Sequence, residues 1–426
     1  MKFSRYNHLF TREDKYFVYN SLTNSFAQVG KEIYKLLKKG EDTHYINDNQ
    51  EILDDETMKL LKDMKVIDAN DDVECNSIKF KSLSQRFNTN YLSLTINPTL
   101  SCNFCCPYCF EVSHDSIYMN DEVEDEIIRY IKRFANIKNL YVTWFGGEPL
   151  MAFERIKTLT HKILDLNINY HSGMITNGYL LSEEVIRQLS GLKIETIQIT
   201  LDGNADTHNK RRCLKGGYPT FSKIIDNIKL SQQLSPQTRI NVRVNIDKTN
   251  EREFVDLYDK FAKLNLPNLI VYPGFVIDIS GNDDNCGLFD NLDISGFLND
   301  TYCKHGIYLP MMYPDGNVSS CSVRHAYSTI IGPKGEFYKC WNDVGNKEKV
   351  YGSLSDGIIN KEIFLKYVMD ADNLTDPICD NCKFMPICNG GCPYVRIQEK
   401  DKGKGCEKAC ILFKNNPDDF LWNYYN

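Results

Sequence analysis

No stretch of this 426-residue chain is apolar for long enough to cross a bilayer. Its first residues, MKFSRYNHLF, lack the apolar core of a secretory signal. An excess of basic charge is also missing. Lys and Arg number 50 against 57 Asp and Glu, a formal net charge of −7, so there is no basic footprint for nucleic acid. Internal repeats and low-complexity tracts are absent, and residues 1–74 contain no cysteine. Together these absences argue against a membrane, secreted or nucleic-acid-binding role and lead to the expectation of a cytoplasmic protein. A hydrophobic content of 42% is ample for packed cores, and the length suits two or three domains. Sixteen cysteines in a chain of this size point to reduced thiols and metal ligation rather than a small disulfide scaffold.

What is present is concentrated in short motifs. Cys102, Cys106 and Cys109 lie in Cys-Asn-Phe-Cys-Cys-Pro-Tyr-Cys, a C-x3-C-x2-C spacing with Tyr108 before the last cysteine. Three thiolates can hold three irons of a [4Fe–4S] cube and leave the fourth iron open to a small molecule. Zinc sites usually pair two C-x2-C knuckles, which this run does not do. Cys105 falls inside the run but out of register and reads as a bystander.

The segments around this run differ in pattern. Residues 1–75 read as a small α+β domain: strands at 15–20 and 25–29, a helix at 31–39 closed by Gly40, a second helix at 54–64, and a short strand beginning at Val66-Ile67. A linker is expected at 76–90. From 91 to 300, strands at 91–96, 140–145, 172–176, 196–201, 240–246 and 269–275 alternate with helices such as 122–134 and 183–189. Repeated βα units imply an α/β fold, a parallel sheet or barrel with function at the C-terminal strand ends. Gly146-Gly147-Glu148-Pro149, Thr176-Asn177-Gly178 and Thr200-Leu201-Asp202-Gly203 all sit at such ends, and Arg243 and Asn245 share one face of the fifth strand. Residues 301–426 are rich in cysteine, glycine and turn signals.

The cysteine loop resembles the C-x3-C-x-aromatic-C signature of the radical S-adenosylmethionine (radical SAM) enzymes. The resemblance implies a partial (β/α)6 barrel over 91–300. It also implies that S-adenosylmethionine chelates the open iron and is cleaved by one electron to a 5′-deoxyadenosyl radical. Gly146, Gly147, Glu148 and Pro149 would then bind the methionine amine, Thr176 and Asn177 the ribose, and Tyr108 would pack by the adenine. Thr200 and Arg212 would meet the methionine carboxylate, with the neighbouring Arg211 an alternative to Arg212, and Asp202, Arg243 and Asn245 are further cofactor-binding candidates.

In the last quarter, Cys321, Gly335-x4-Cys340 and Cys379-x2-Cys382-x5-Cys388-x3-Cys392 resemble the SPASM extension. By that resemblance Cys321, Cys340 and Cys392 ligate a first auxiliary [4Fe–4S] cluster. Cys379, Cys382, Cys388 and a last cysteine, Cys410 or alternatively Cys406, ligate a second, making three clusters in all. Tyr327 stands where some members have a further cysteine, which implies an open iron in that cluster, or Cys303, His325 or the substrate as its fourth ligand. Cys213, Cys286 and Cys303 read as spare thiols.

Residues 1–75 resemble the winged-helix-like leader-recognition domain of peptide maturases. The whole chain therefore resembles enzymes that modify a ribosomally made precursor peptide, most simply by a thioether or other cross-link, fed by a flavodoxin- or ferredoxin-like electron donor. The alternative is an anaerobic sulfatase maturase making formylglycine. Those enzymes carry an acidic residue directly after the cysteine at the Cys340 position, where this chain has Trp341, with Asp343 two residues late.

Overall fold

The computed structural model describes residues 1–46, 53–109, 116–134, 136–276, 288–314 and 321–426. The chain forms two compact units. One comprises Met1–Phe87, Asn291–His325 and Val368–Asn426, the other Asn88–Asp290 and Ala326–Tyr367.

In the first unit, β1 (Asn7–Arg12), β2 (Lys15–Asn20) and β3 (Ser25–Val29) form an antiparallel meander with β2 in the centre. The sequence pattern does not reveal β1, whose NHLFTR carries little alternation; pairing with β2 from Asn7↔Asn20 to Arg12↔Lys15 makes it a strand. Helix α1 (Lys31–Thr43) continues through Gly40, the expected stop. Gly40 is buried, and a Cβ there would lie 2.6 Å from Ile46 Cγ1, so this glycine answers a packing need. Helix α2 (Asp55–Asp63) begins at Asp54, whose side chain accepts from the Thr57 amide. Ile67 forms only an isolated bridge to Phe3 where a strand is expected. Leu9, Val18, Leu37, Leu61, Val66 and Ile67 belong to one core.

The expected linker at 76–90 is instead largely helix α3 (Asp71–Arg86), capped by the Asn70 side chain. Its buried residues Glu74, Ile78 and Arg86 recur at multiples of four, so a polar sequence still presents one inward face. Ile78 packs in a cluster with Tyr6 and Met385. Arg86 and Asp372, each 2% exposed, form an ion pair at 2.7 Å.

In the second unit, six parallel strands follow one another in chain order: β4 (Tyr91–Ile96), β5 (Asn139–Trp144), β6 (Asn169–Thr176), β7 (Ile194–Leu201), β8 (Arg239–Ile246) and β9 (Leu269–Phe275). Between them lie α4 (Asp121–Lys132), α5 (Phe153–Leu164), α6 (Glu183–Gln188), α7 (Ala205–Arg211), α8 (Phe221–Leu234) and α9 (Glu253–Lys263). Alternation divides each strand. In β8, Ile240, Val242, Val244 and Ile246 are fully buried, while Asn241, Arg243 and Asn245 are half-buried on the other face. Helices α4 and α9 bury matching stripes, Val123, Ile127 and Ile131, and Phe254, Leu257 and Phe261.

Residues 326–367, expected to be part of a separate C-terminal domain, extend this sheet. Strand β10 (Ser328–Ile331) pairs parallel with β4, and β11 (Glu336–Tyr338), β12 (Gly352–Ser353) and β13 (Gly357–Ile358) continue antiparallel beyond it. Main-chain pairing along β4 draws them in, a long-range contact that composition does not report. The rest of the cysteine-rich region, beginning with α10 (Asn291–His305), belongs to the first unit.

The Arg86–Asp372 pair gives a direct test. Arg86→Ala leaves a buried carboxylate unpaired and is expected to cost about 3–5 kcal/mol in denaturant unfolding, whereas Arg86→Met with Asp372→Leu costs far less.

Candidate functional site

The site is built at the C-terminal ends of β4 to β8. After β4 the chain turns through Asn97–Ser101 into the cysteine loop, and the end of β5 runs beside this turn. The Gly147 amide donates to the Thr99 carbonyl at 3.2 Å and the Glu148 amide to the Ser101 carbonyl at 2.9 Å. A Cβ on Gly146 would lie 2.2 Å from Thr99 O, and one on Gly147 2.4 Å from both Leu100 O and Ser101 O. Gly146 also has φ +116°. The glycines thus admit the backbone of the cysteine loop itself, where the sequence reading has them admitting a ligand.

Glu148 has no exposed surface. Its Oε1 accepts from Thr176 Oγ1 at 2.6 Å and from the Leu150 amide at 3.1 Å, and Oε2 from the Asn177 amide at 2.7 Å. Burial raises its pKa, and these three bonds oppose the shift. Asn177 Nδ2 donates to Asn103 Oδ1 at 2.8 Å, so Glu148, Thr176 and Asn177 knit the ends of β5 and β6 to the loop that follows β4. Thr176 and Asn177 are buried, and their side chains serve this network first. Pro149 is buried at the start of the short turn Pro149–Ala152.

Beyond β7, Asp202 is fully buried. Tyr108 Oη donates to Asp202 Oδ2 at 2.5 Å and accepts from Arg212 Nη1 at 3.1 Å. Asp202 Oδ1 and Arg212 Nε stand 3.8 Å apart, and neither has a hydrogen-bond partner. The Asn103 Nδ2 and both polar side-chain atoms of Asn97 are likewise buried without partners. Arg211 is engaged elsewhere, with Asp247 at 2.8 Å and Thr249 at 2.7 Å, so Arg212 is the arginine of this site. Burial raises the Asp202 pKa, opposed by Arg212. Thr200 is half-buried and in register with Arg243. Arg243 Nε donates to Asn245 Oδ1 at 2.9 Å.

Cys102 is pushed up to about 12, chiefly by burial and then by Glu148, Cys106 and Cys109 nearby. The loop therefore draws its three cysteines together around one region. Among the described residues no three Cys, His, Asp or Glu side chains converge as a single-ion site requires. Cluster ligands bind separate irons and need no such convergence. The donor set fits: three thiols, with unpaired buried donors and acceptors of both charges at Asp202 and Arg212, suited to a zwitterionic ligand.

In the cysteine-rich unit, Cys379, Cys382, Cys388, Cys406 and Cys410 line one pocket. Cys388 feels the charges of Cys410 and Cys379, whereas Cys406 feels chiefly Arg396 and Asp376 and points toward the Arg396 carbonyl. Cys321 and Cys392 are exposed in the same unit, and Cys340 is buried in the sheet unit. Cys303 sits on α10 near Asn299 and Asn423, and Cys286 lies outside the described residues. Trp341 stacks on Phe145 at 5.1 Å between ring centres. Asp343 is buried, accepts from Tyr367 Oη at 2.8 Å, and is pushed up to about 6 by burial.

Residues 96–261 match the Radical SAM superfamily. The chain carries a radical SAM domain. It is 23% identical to the radical SAM cyclopropyl synthase TigE of Paramaledivibacter caminithermalis, over 96% of this chain and 93% of that protein. It is 24% identical to a cysteine-type anaerobic sulfatase-maturating enzyme of Clostridium novyi, over 76% and 94%. Two solved structures share the fold. One is anSMEcpe with bound AdoMet and the Cp18Cys peptide (TM-score 0.61, 22% identity, 79% of this chain and 97% of that one). The other is Streptococcus suis SuiB bound to precursor peptide SuiA (TM-score 0.56, 14% identity, 96% and 99%).

Sequence reading missed two features of the radical SAM domain. Cys105 faces a second cysteine: its sulfur lies 3.3 Å from that of Cys213, and its amide donates to the Cys213 carbonyl at 3.1 Å. His208 is buried between the Asp202 amide, which donates to Nδ1 at 3.3 Å, and Thr220 Oγ1, 3.0 Å from Nε2. Thr220 in turn donates to the Arg212 carbonyl at 2.6 Å, so one imidazole positions both Asp202 and Arg212. The H-x3-R spacing was the available signal, visible only once α7 is known to lead back to the site.

Two outcomes are expected. Gly147→Ala forces the cysteine loop away and lowers the affinity for S-adenosylmethionine at least roughly tenfold in calorimetry, about 1.4 kcal/mol. Burial lowers the His208 pKa to about 3, so below the ordinary ~6.5 the unfolded chain binds a proton that the folded chain refuses. Stability from this group is complete above that pH and falls by roughly 1.4 kcal/mol per unit as pH drops toward 3, a slope that His208→Gln flattens in pH-dependent denaturation.

Proposed function

We propose that this chain is a radical SAM peptide maturase that acts on a ribosomally made precursor and forms a thioether or other cross-link. The observation that carries the peptide reading is the span of the likeness: the structure of SuiB with its precursor peptide matches 96% of this chain, N-terminal unit included. In this reading the sheet is the partial (β/α)6 barrel, and residues 1–75 recruit a leader segment. Strand β3 pairs only with β2 among the described residues, so its outer edge suits an added peptide strand. Such docking raises the local concentration of the modified segment.

Cys102, Cys106 and Cys109 would hold the first of three [4Fe–4S] clusters. Arg212 and Asp202, whose unpaired atoms face each other, would orient the carboxylate and amine of S-adenosylmethionine, with Tyr108 fixing both. When bound, cluster and cofactor supply a carbon-centred radical able to take a hydrogen atom from the peptide. Phe145 and Trp341 would wall the site against water. Cys321, Cys340 and Cys392 would hold one auxiliary cluster and Cys379, Cys382, Cys388 and Cys410 the other. A flavodoxin- or ferredoxin-like protein in the cytoplasm would supply electrons.

A sulfatase-maturase role is the second reading, favoured by the span of the anSMEcpe match, 97% of that chain. Against it stand Trp341 directly after Cys340 and the burial of Asp343 under Tyr367.

The test is anaerobic co-expression with the short peptide encoded beside this gene, followed by intact mass and fragmentation. The expected product is lighter by two hydrogens per event. Unchanged mass in ordinary water with deuterium gain in heavy water means epimerisation in place of a cross-link. A peptide unmodified in both, beside active cofactor cleavage, sinks the assignment and moves the search to sulfatases.

A further inference from the structure

The cysteine pocket holds two cations that the ligand assignment leaves without a role. Arg396 Nη2 donates to Cys379 Sγ at 3.6 Å, and Lys414 Nζ donates to Cys410 Sγ at 3.5 Å. Both line the pocket with Cys379, Cys382, Cys388 and Cys410. Elsewhere its walls are apolar, formed by residues such as Ile378, Phe384 and Met385, with Glu407 as an acidic neighbour. Arg396 is 1% exposed and shares its charge with Asp376 at 2.6 Å. Lys414 has no carboxylate within ion-pair distance among the described residues, and it feels Cys410, Cys382 and Cys379 together.

A cluster held by four thiolates gains a negative charge on reduction. An apolar wall resists that gain, and a cation hydrogen-bonded to a ligand sulfur favours it. We propose that Arg396 and Lys414 are positioning residues that raise the reduction potential of a cluster in this pocket, making it the better acceptor of the electron released, together with a proton, when the peptide-borne radical closes the cross-link. This rests on the reading above that these four cysteines hold a [4Fe–4S] cluster. Arg396 acts mainly through its hydrogen bond, because Asp376 balances its charge. Lys414 acts through both hydrogen bond and charge.

The test is a redox titration of the reconstituted holoenzyme followed by electron paramagnetic resonance. In Lys414→Gln the reduced-to-oxidised ratio of one cluster at fixed potential is expected to fall about tenfold, 59 mV for a one-electron couple. Lys414→Arg restores it, and Arg396→Gln shifts it the same way. The cluster of the Cys102 loop keeps its midpoint throughout. Arg396→Gln disturbs a buried ion pair and can unfold the unit, so the partly exposed Lys414 decides the matter. An assembled cluster whose midpoint does not move in Lys414→Gln overturns the inference alone. Equal iron content and identical spectra for the wild type and Cys382→Ala mean that no cluster resides here, which overturns the underlying reading with it.

Discussion

The contact on which the site depends is the approach of the Gly146-Gly147 backbone to the carbonyls of Thr99, Leu100 and Ser101. No side chain fits between them. That closeness lets two amides at the end of β5 bond to the cysteine loop and delivers Glu148 into a fully buried position. From there its carboxylate gathers Thr176, Asn177 and Leu150, so the ends of β5 and β6 and the loop share one network. A carboxyl group buried this deeply is tolerated because its oxygens are engaged, and a network so satisfied is rigid. The loop that presents Cys102, Cys106 and Cys109 is therefore anchored by main-chain geometry.

Against that satisfied floor, the unsatisfied atoms stand out. Asp202 Oδ1, Arg212 Nε and the Asn97 side chain are buried without partners in a region where neighbouring polar atoms are paired. Leaving such groups unmade is costly, and a folded chain keeps them where a ligand completes them. His208 and Thr220 hold the backbone of Asp202 and Arg212 in place from behind.

The cysteine-rich stretch at 368–426 is organised differently. It has short helices and irregular loops, and buried guanidinium groups do what a sheet does elsewhere. Arg324 donates to the carbonyls of Ala371, Asn389 and Gly390, Arg396 to Gly390 and Asp376, and Arg86 to Val368 and Asp372. Each arginine satisfies loop carbonyls that no regular element pairs. The same chemistry places cations against the sulfurs.

Periodicity determined much of this protein without help. The alternation in β4 to β9, the C-x3-C-x2-C run and the strand-end motifs follow from local chemistry, and the strands fall within a few residues of where the pattern puts them. Local patterns do not carry the rest. Whether Gly40 ends a helix or fills its packing, whether 76–90 is linker or helix, and that 326–367 joins the sheet are decided by contacts distant in sequence. So are the placement of Arg212, rather than Arg211, beside Asp202 and the approach of Cys105 to Cys213. The two arginines are equivalent residue types on the chain, and only the fold's placement of a partner, Asp247 for Arg211, distinguishes them.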